Sequence, residues 1–333
     1  MKKIKSLMVL FVLCMTAVMA GCGTTDNTDD KVTIVCTNFS LYDWTSQLLG
    51  ESDAEVILLL NNGTDMHSFQ PSAEELIQIA DCDMLVHVGG ESDAWLWDAL
   101  EANPNENRVV VNLMEVLKAD VRVEQEIEGM QVEHVHADGS VCEEAHDHET
   151  VASDEHVWLS LRLAVKSCEA IEEALCQVLP EQEEYIRTNG DGYCEELEAL
   201  DQKYRLAVMN AETPGVVIFA DRFPFMYMME DYGLEYYAAF PGCSTESEAD
   251  FETVVFLAEK VAENDTKRLL LTESGTDTLA KTVFENAGVK EGETGILHSM
   301  QVVYQSDIEA GVSYLGYMES NLEVLEQVLQ DAE

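Results

Sequence analysis

The sequence predicts an α/β protein of two lobes, each built on a mainly parallel sheet, joined by one long backbone helix. Three observations predict it. Strand-type and helix-type runs alternate from Lys31 to Leu113, helical spacing then dominates from Leu159 to Val208, and the alternation restarts at Gly215. Alternation of this kind is the mark of a parallel sheet flanked by helices. At 333 residues the chain is long enough for two domains.

The elements follow in order. Lys31 to Thr37 (KVTIVCT) is β-rich, and Leu41 to Leu49 reads as an amphipathic helix. Glu55 to Leu60 is a second strand-length apolar run. Asn61 to Pro71 is a loop by its Asn, Gly and Pro content. Ser72 and Glu75 have the spacing of a capping box at the start of a helix that carries Leu76, Ile77 and Ala80. Met84 to Val88 is a strand ending at Gly89-Gly90, Ala94 to Leu100 is helical, and Arg108 to Leu113 is a fourth strand. Leu159 to Leu179 and Glu181 to Val208 are long helical patterns broken at Pro180, the second weakened in its middle by Gly190 and Gly192. Then come a strand at Gly215 to Ala220, a helix at Phe225 to Tyr232 closed by Gly233, and a strand at Leu234 to Ala239. Asp250 to Glu263 is a helix, Lys267 to Leu271 a strand, Thr276 to Ala287 a helix ending at Gly288, Gly295 to Leu297 a short strand and Tyr314 to Leu329 the closing helix. Ligands of open α/β sheets lie beyond the C-terminal ends of the strands. His67, Asp221, Glu273 and His298 all follow predicted strands, so they can converge on one cleft between the lobes.

Sixty-five acids against 18 Lys and Arg give a net charge of −47. Phosphate contacts need basic residues, so this composition excludes nucleic acid as a partner and favours cations. Lys2, Lys3 and Lys5 precede a short apolar run, and small residues follow it, the order of an export signal over residues 1–21. Its tail, Met19-Ala20-Gly21-Cys22, resembles a bacterial lipobox with Met in place of the more usual Leu. The lipid would then be carried by Cys22, and residues 22–30 would form a polar, flexible tether. Beyond Cys22 lie seven cysteines and no C-x-x-C. Most read as small buried residues. The expected division is an N-terminal lobe over 31–179 with an acidic loop at 120–155, a linking helix at 180–208, and a C-terminal lobe over 209–333.

The chemistry concentrates in Glu133 to Trp158. Five of the eight histidines lie there among Asp and Glu, with no helix or strand period. Imidazoles mixed with carboxylates in a short tract are a signal for a borderline metal ion. His134, His136, His146 and His148 form two H-x-H pairs that can collect a cation without holding it in one geometry, and Cys142 is a further candidate ligand. His156 differs, because Val157-Trp158-Leu159 follows it directly and can fix it in folded structure. His87 sits in an apolar strand and reads as a hydrogen-bonded core residue.

Several segments together resemble the solute-binding proteins of bacterial zinc and manganese ABC importers. They are the His67 loop, Asp65-Met66-His67-Ser68-Phe69-Gln70-Pro71-Ser72; the His156 stretch, Asp154-Glu155-His156-Val157-Trp158-Leu159, with its acidic His-rich loop; and the terminal helix from Tyr314. The resemblance covers essentially the whole mature chain. It implies metal ligation by His67, His156 and His298, with Asp221 or water completing a tetrahedron and Glu273 orienting a histidine from outside. It also meets a departure. The family offers a donor near the end of the first C-terminal-lobe strand, and Ala220 has none.

A nitrogen-rich site favours Zn²⁺ over Mn²⁺, whose sites lean on carboxylate and water. The expected function is an extracytoplasmic, lipid-anchored monomer that binds zinc between its lobes and delivers it to an ABC permease, without enzymatic chemistry. Two rivals are a surface zinc hydrolase, which would need Glu273 as general base in a chain with neither H-E-x-x-H nor G-x-S-x-G, and a metal-binding adhesin.

Overall fold

A computed structural model of the chain describes residues 31–131, 152–211, 215–244 and 248–331. The signal, Cys22, the tether, Cys142 and the four loop histidines lie outside the described residues. Two four-stranded, all-parallel sheets carry the fold. The first, in spatial order β2-β1-β3-β4, comprises β1 (Thr33–Cys36), β2 (Glu55–Leu58), β3 (Met84–His87) and β4 (Val109–Asn112). The second, in the order β6-β5-β7-β8, comprises β5 (Val217–Phe223), β6 (Tyr236–Pro241), β7 (Arg268–Thr272) and β8 (Glu293–Leu297).

The helices lie between the strands and between the sheets. They are α1 (Phe39–Leu49), α2 (Ala73–Asp81), α3 (Ala94–Ala102), a single turn α4 (Leu113–Val116), α5 (Leu161–Val178), α6 (Glu183–Asn210), α7 (Met226–Tyr232), α8 (Phe251–Glu263), α9 (Asp277–Ala287), α10 (Gln305–Glu309) and α11 (Tyr314–Asp331). The capping box is formed: Ser72 N donates to Glu75 Oε2 at 2.6 Å and Glu75 N to Ser72 Oγ at 3.3 Å. Gly233 and Gly288 close α7 and α9 with φ of 70° and 77°, a left-handed conformation that costs glycine little.

One expected boundary shifts. β5 runs three residues past Ala220, so Asp221 and Arg222 lie inside the strand rather than beyond it. The extension is held by Phe223, which is buried, pairs with Pro241 and stacks on Tyr236 at 4.0 Å. A register shift between Phe219 and Arg222 marks where the strand bends to accommodate it.

The 28-residue α6 joins the lobes and spans about 42 Å at 1.5 Å per residue. Its two glycines do different things. A Cβ on Gly190 would stand 2.0 Å from Glu172 Oε2, a carboxylate that Arg187 holds at 2.8 Å, so Gly190 lets α5 and α6 approach closely. A Cβ on Gly192 would meet nothing within 4 Å. Gly192→Ala should therefore stabilise the chain by up to about 1 kcal/mol, the helix-propensity difference, whereas Gly190→Ala should bring no such gain. Parallel thermal melts of the two variants check this.

The larger hydrophobic core is continuous from the first sheet through α5 and α6 to Phe219, Leu297 and α11. A smaller one fills the space between the second sheet, α8 and α9. Polar ties cross between the lobes. The buried Asp43 carboxylate of α1 accepts from Tyr314 N (3.0 Å) and Tyr193 OH (3.3 Å), joining α1, α6 and α11. Burial raises the Asp43 pKa, against which these bonds act. Trp158 Nε1 donates to Ser299 O at 2.8 Å, while Tyr314 OH donates to Trp158 O at 2.6 Å. Among the described residues no helix is long and apolar enough to cross a membrane.

Candidate metal centre

A cleft of about 910 Å³ opens between the C-terminal ends of the two sheets, bordered by His67, Asp221, Arg222, Glu273, His298 and Tyr304. Arg222 spans it, pairing with Asp65 at 2.9 Å from the opposite lobe and with Ser274 Oγ at 2.8 Å.

His67 is set by its own loop. Asp65 caps a short 3₁₀ turn, Met66–Ser68, by accepting from His67 N at 3.0 Å, and buried Met66 and Phe69 anchor the turn on either side. His156 is set by the segment that leads into α5. Val157, Trp158 and Leu159 are fully buried in a 3₁₀ turn, and Ser160 caps the helix by accepting from Leu163 N. His156 itself has no solvent exposure.

Neighbours orient both rings. Asp154 Oδ1 accepts from His156 N at 2.8 Å and lies 2.9 Å from His156 Nδ1. Ser92 Oγ lies 2.8 Å from His67 Nδ1. The Ser92 turn is in turn clamped by Glu155, which accepts from the backbone N–H groups of Glu91 and Ser92. A Cβ on Gly90 would stand 2.4 Å from Glu155 Oε1, so this clamp needs glycine there, at φ +80°. The two residues before His156 therefore orient both histidines.

The remaining nitrogens meet at one point. The Gln301 amide nitrogen lies 2.7 Å from His67 Nε2 and 2.8 Å from His156 Nε2. An amide NH₂ only donates, so both Nε2 atoms accept and both Nδ1 atoms carry the proton. That tautomer matches the Ser92 and Asp154 contacts. The NH₂ group thus sits where two imidazole lone pairs converge, the place a cation would take. Burial, the largest cause, lowers the pKa of His67 to about 4, which keeps its ring neutral and able to ligate. Burial also acts to lower that of His156, but Asp154, Glu124 and Glu155 outweigh it and the net shift is upward. The pocket around His156 therefore favours positive charge.

Gln301 is placed by a strained turn. Met300 has φ 60°, uncommon for a residue with a Cβ, and Glu273 holds the turn by accepting from Ser299 N (2.7 Å), Ser299 Oγ (2.8 Å) and Val302 N (3.2 Å). Glu273 thus orients the segment that carries Gln301, and its charge also acts on His298. Asp221 is engaged away from the histidine pair: its Oδ2 accepts from Thr272 N and Thr272 Oγ1 at 2.8 and 2.7 Å. His298 borders the same cleft with its ring 4.5 Å from that of Tyr317, and its backbone is held at both ends by Asn321. Among the described residues, the group of three metal-type donors that does converge is His67, His156 and Cys243, whose ligand atoms lie within 4.8 Å of one another. His87 is buried as expected, but neither of its nitrogens has a hydrogen-bond partner among the described residues; Asp93 Oδ2 lies 3.4 Å from its Nδ1.

A model of the family described as zinc-uptake complex component A, periplasmic (ZnuA) matches residues 34–328. The zinc-binding lipoprotein AdcA of Streptococcus pneumoniae is 32% identical over 330 residues, which are 98% of this chain and 61% of AdcA. The chain thus spans about three-fifths of the length of that relative. The high-affinity zinc uptake system protein ZnuA of Bacillus subtilis is 26% identical over 307 residues, 92% of this chain and 90% of that protein. The crystal structure of the Zn(II)-bound ZnuA-like domain of S. pneumoniae AdcA superposes with a TM-score of 0.68 at 27% identity, covering 90% of this chain and 98% of the domain.

Proposed function

This chain belongs to the zinc-uptake complex component A family, and on that premise we propose that it is an extracytoplasmic receptor that binds Zn²⁺ between its lobes and hands it to an ABC permease. Cys22 carries its lipid anchor in this reading, and coordination and release are the whole of its chemistry. The observation that carries it is the convergence of the two bare Nε2 atoms, of His67 from a cleft-facing loop and of His156 from the core. Two neutral imidazoles suit Zn²⁺ better than Mn²⁺. The hydrolase reading loses its candidate base, since Glu273 is committed to the Ser299–Val302 turn. His134, His136, His146 and His148 serve as an auxiliary collector that raises local zinc concentration, and His298 and Asp221 face the entering ion from the cleft wall.

Calorimetric titration of the mature chain, with and without residues 132–151, separates the two histidine groups. One tight zinc equivalent should survive the deletion, while weaker equivalents disappear. Loss of the tight equivalent with that segment would overturn the cleft assignment. In cells, saturable zinc uptake should be lost on removing the protein, and unchanged uptake would overturn the receptor role.

A further inference from the structure

We infer that Cys243 is the third protein ligand of the cleft metal, which makes this a thiolate–imidazole site selective for Zn²⁺, Co²⁺ and Cd²⁺ over Mn²⁺. The inference rests on the receptor reading above and deepens it. Its first support is geometric: the ligand atoms of His67, His156 and Cys243 lie within 4.8 Å of one another. Zn–N bonds of about 2.0–2.1 Å and Zn–S bonds of about 2.3 Å put tetrahedral ligand atoms roughly 3.3–3.8 Å apart, so the three need to close by only about 1 Å.

The second support is the way the chain delivers the sulfur. Cys243 follows the C-terminal end of β6, the strand beside β5 in the second sheet. Gly242 makes the approach possible. A Cβ there would stand 2.8 Å from His156 Cε1 and 3.0 Å from the Phe223 carbonyl oxygen. The backbone turn is therefore packed directly on the edge of the histidine ring, and the next side chain is brought to its ligand atom. The third support is what the neighbouring strand does not offer. Ala220 of β5 has no donor, and Asp221 turns its Oδ2 to Thr272. Among the described residues, Cys243 is the metal-type donor that the C-terminal lobe brings to the two histidines.

The environment favours a cation over an isolated thiolate. Glu124, Asp154 and Glu155 act electrostatically on Cys243, and Glu124 Oε1 is buried without a hydrogen-bond partner among the described residues. Ligation proceeds by loss of the thiol proton to water as the S–metal bond forms, while the Gln301 NH₂ leaves the point where the Nε2 lone pairs meet. Soft sulfur with two imidazoles prefers the later divalent ions and disfavours Mn²⁺.

Cobalt reports the sulfur directly. The reduced full chain carrying Cys142→Ser, loaded with one equivalent of Co²⁺, should show sulfur-to-cobalt charge-transfer absorption in the near ultraviolet. The band should vanish in the Cys142→Ser/Cys243→Ser double variant. The Cys243→Ser change should also weaken Zn²⁺ binding by at least the roughly 10–100-fold typical of losing even an outer-shell partner. Alkylation of the otherwise native chain gives a readout that does not depend on a variant folding: bound Zn²⁺ should protect Cys243 from iodoacetamide, as mapped by peptide mass. Tight Co²⁺ binding without the band, or Cys243 alkylated equally with and without Zn²⁺, overturns the inference and leaves the His67–His156 site standing. Binding that is indifferent to His67→Ala overturns that underlying site and the inference with it.

Discussion

His67→Ala is expected to abolish tight zinc binding and leave the fold almost untouched. The ring sits on a half-buried loop turn whose anchors are Met66 and Phe69, so the turn should survive its loss. Apo stability should fall by about 1–2 kcal/mol, because Ser92 Oγ and the Gln301 amide each lose one partner while the turn's own anchors stay. Affinity is another matter. Structural zinc sites bind with about 10–16 kcal/mol shared among four ligands, so one ligand carries about 3 kcal/mol, which is more than 100-fold in the dissociation constant. Competition against a zinc chelator, run beside a denaturation curve, separates the two quantities. A His67→Ala protein that still competes like the parent would remove His67 from the site. His156→Ala should lose as much affinity and considerably more stability, because it empties a fully buried site and takes the ring Nδ1–H from Asp154 Oδ1, which keeps only the backbone N–H of residue 156.

Trp158→Ala should destabilise the protein by about 3–5 kcal/mol, the usual cost of deleting a large core aromatic. The indole is fully buried, and its N–H satisfies the buried Ser299 carbonyl. Deleting it opens a cavity and orphans that acceptor. Zinc binding should fall too, because Trp158 lies two residues from His156 and its hydrogen bond holds the turn that carries Gln301. Denaturant unfolding of the apo and zinc-loaded forms tests both. Trp158→Phe should restore part of the stability, since it refills the cavity without remaking the hydrogen bond. A loss below about 1 kcal/mol in the Ala variant would mean that the tryptophan is not the tie proposed.

Local signals made much of this legible in the sequence. The Ser72–Glu75 box, Gly233, Gly288 and the break at Pro180 each act within a few residues, and each appears where the spacing places it. The histidines at 67 and 156 were visible because loop and apolar signals surround them. What was hidden depends on tertiary approach. Gln301 reaches the site only because Met300 takes a left-handed turn under the grip of Glu273, a residue 28 positions earlier. Cys243 reaches it only because Gly242 packs on a ring 86 positions away. Nothing in MQVV or PGCS announces either. The expected strand end at Ala220 moved for a similar reason: β5 continues through a bend that aromatic stacking by Phe223 holds, and that bend has no local mark.

If the chain is the receptor proposed above, the Gln301 amide is a competitor for its cation that cannot diffuse away. An ion held by both Nε2 atoms would have to displace the two Gln301 contacts to His67 and His156, and the chain would keep the same NH₂ tethered within reach. Measured affinity is then a difference between two occupants, one of them at a fixed local concentration set by the chain. Release would then strand no lone pairs in the interior, making it an exchange of partners rather than a dehydration to be reversed.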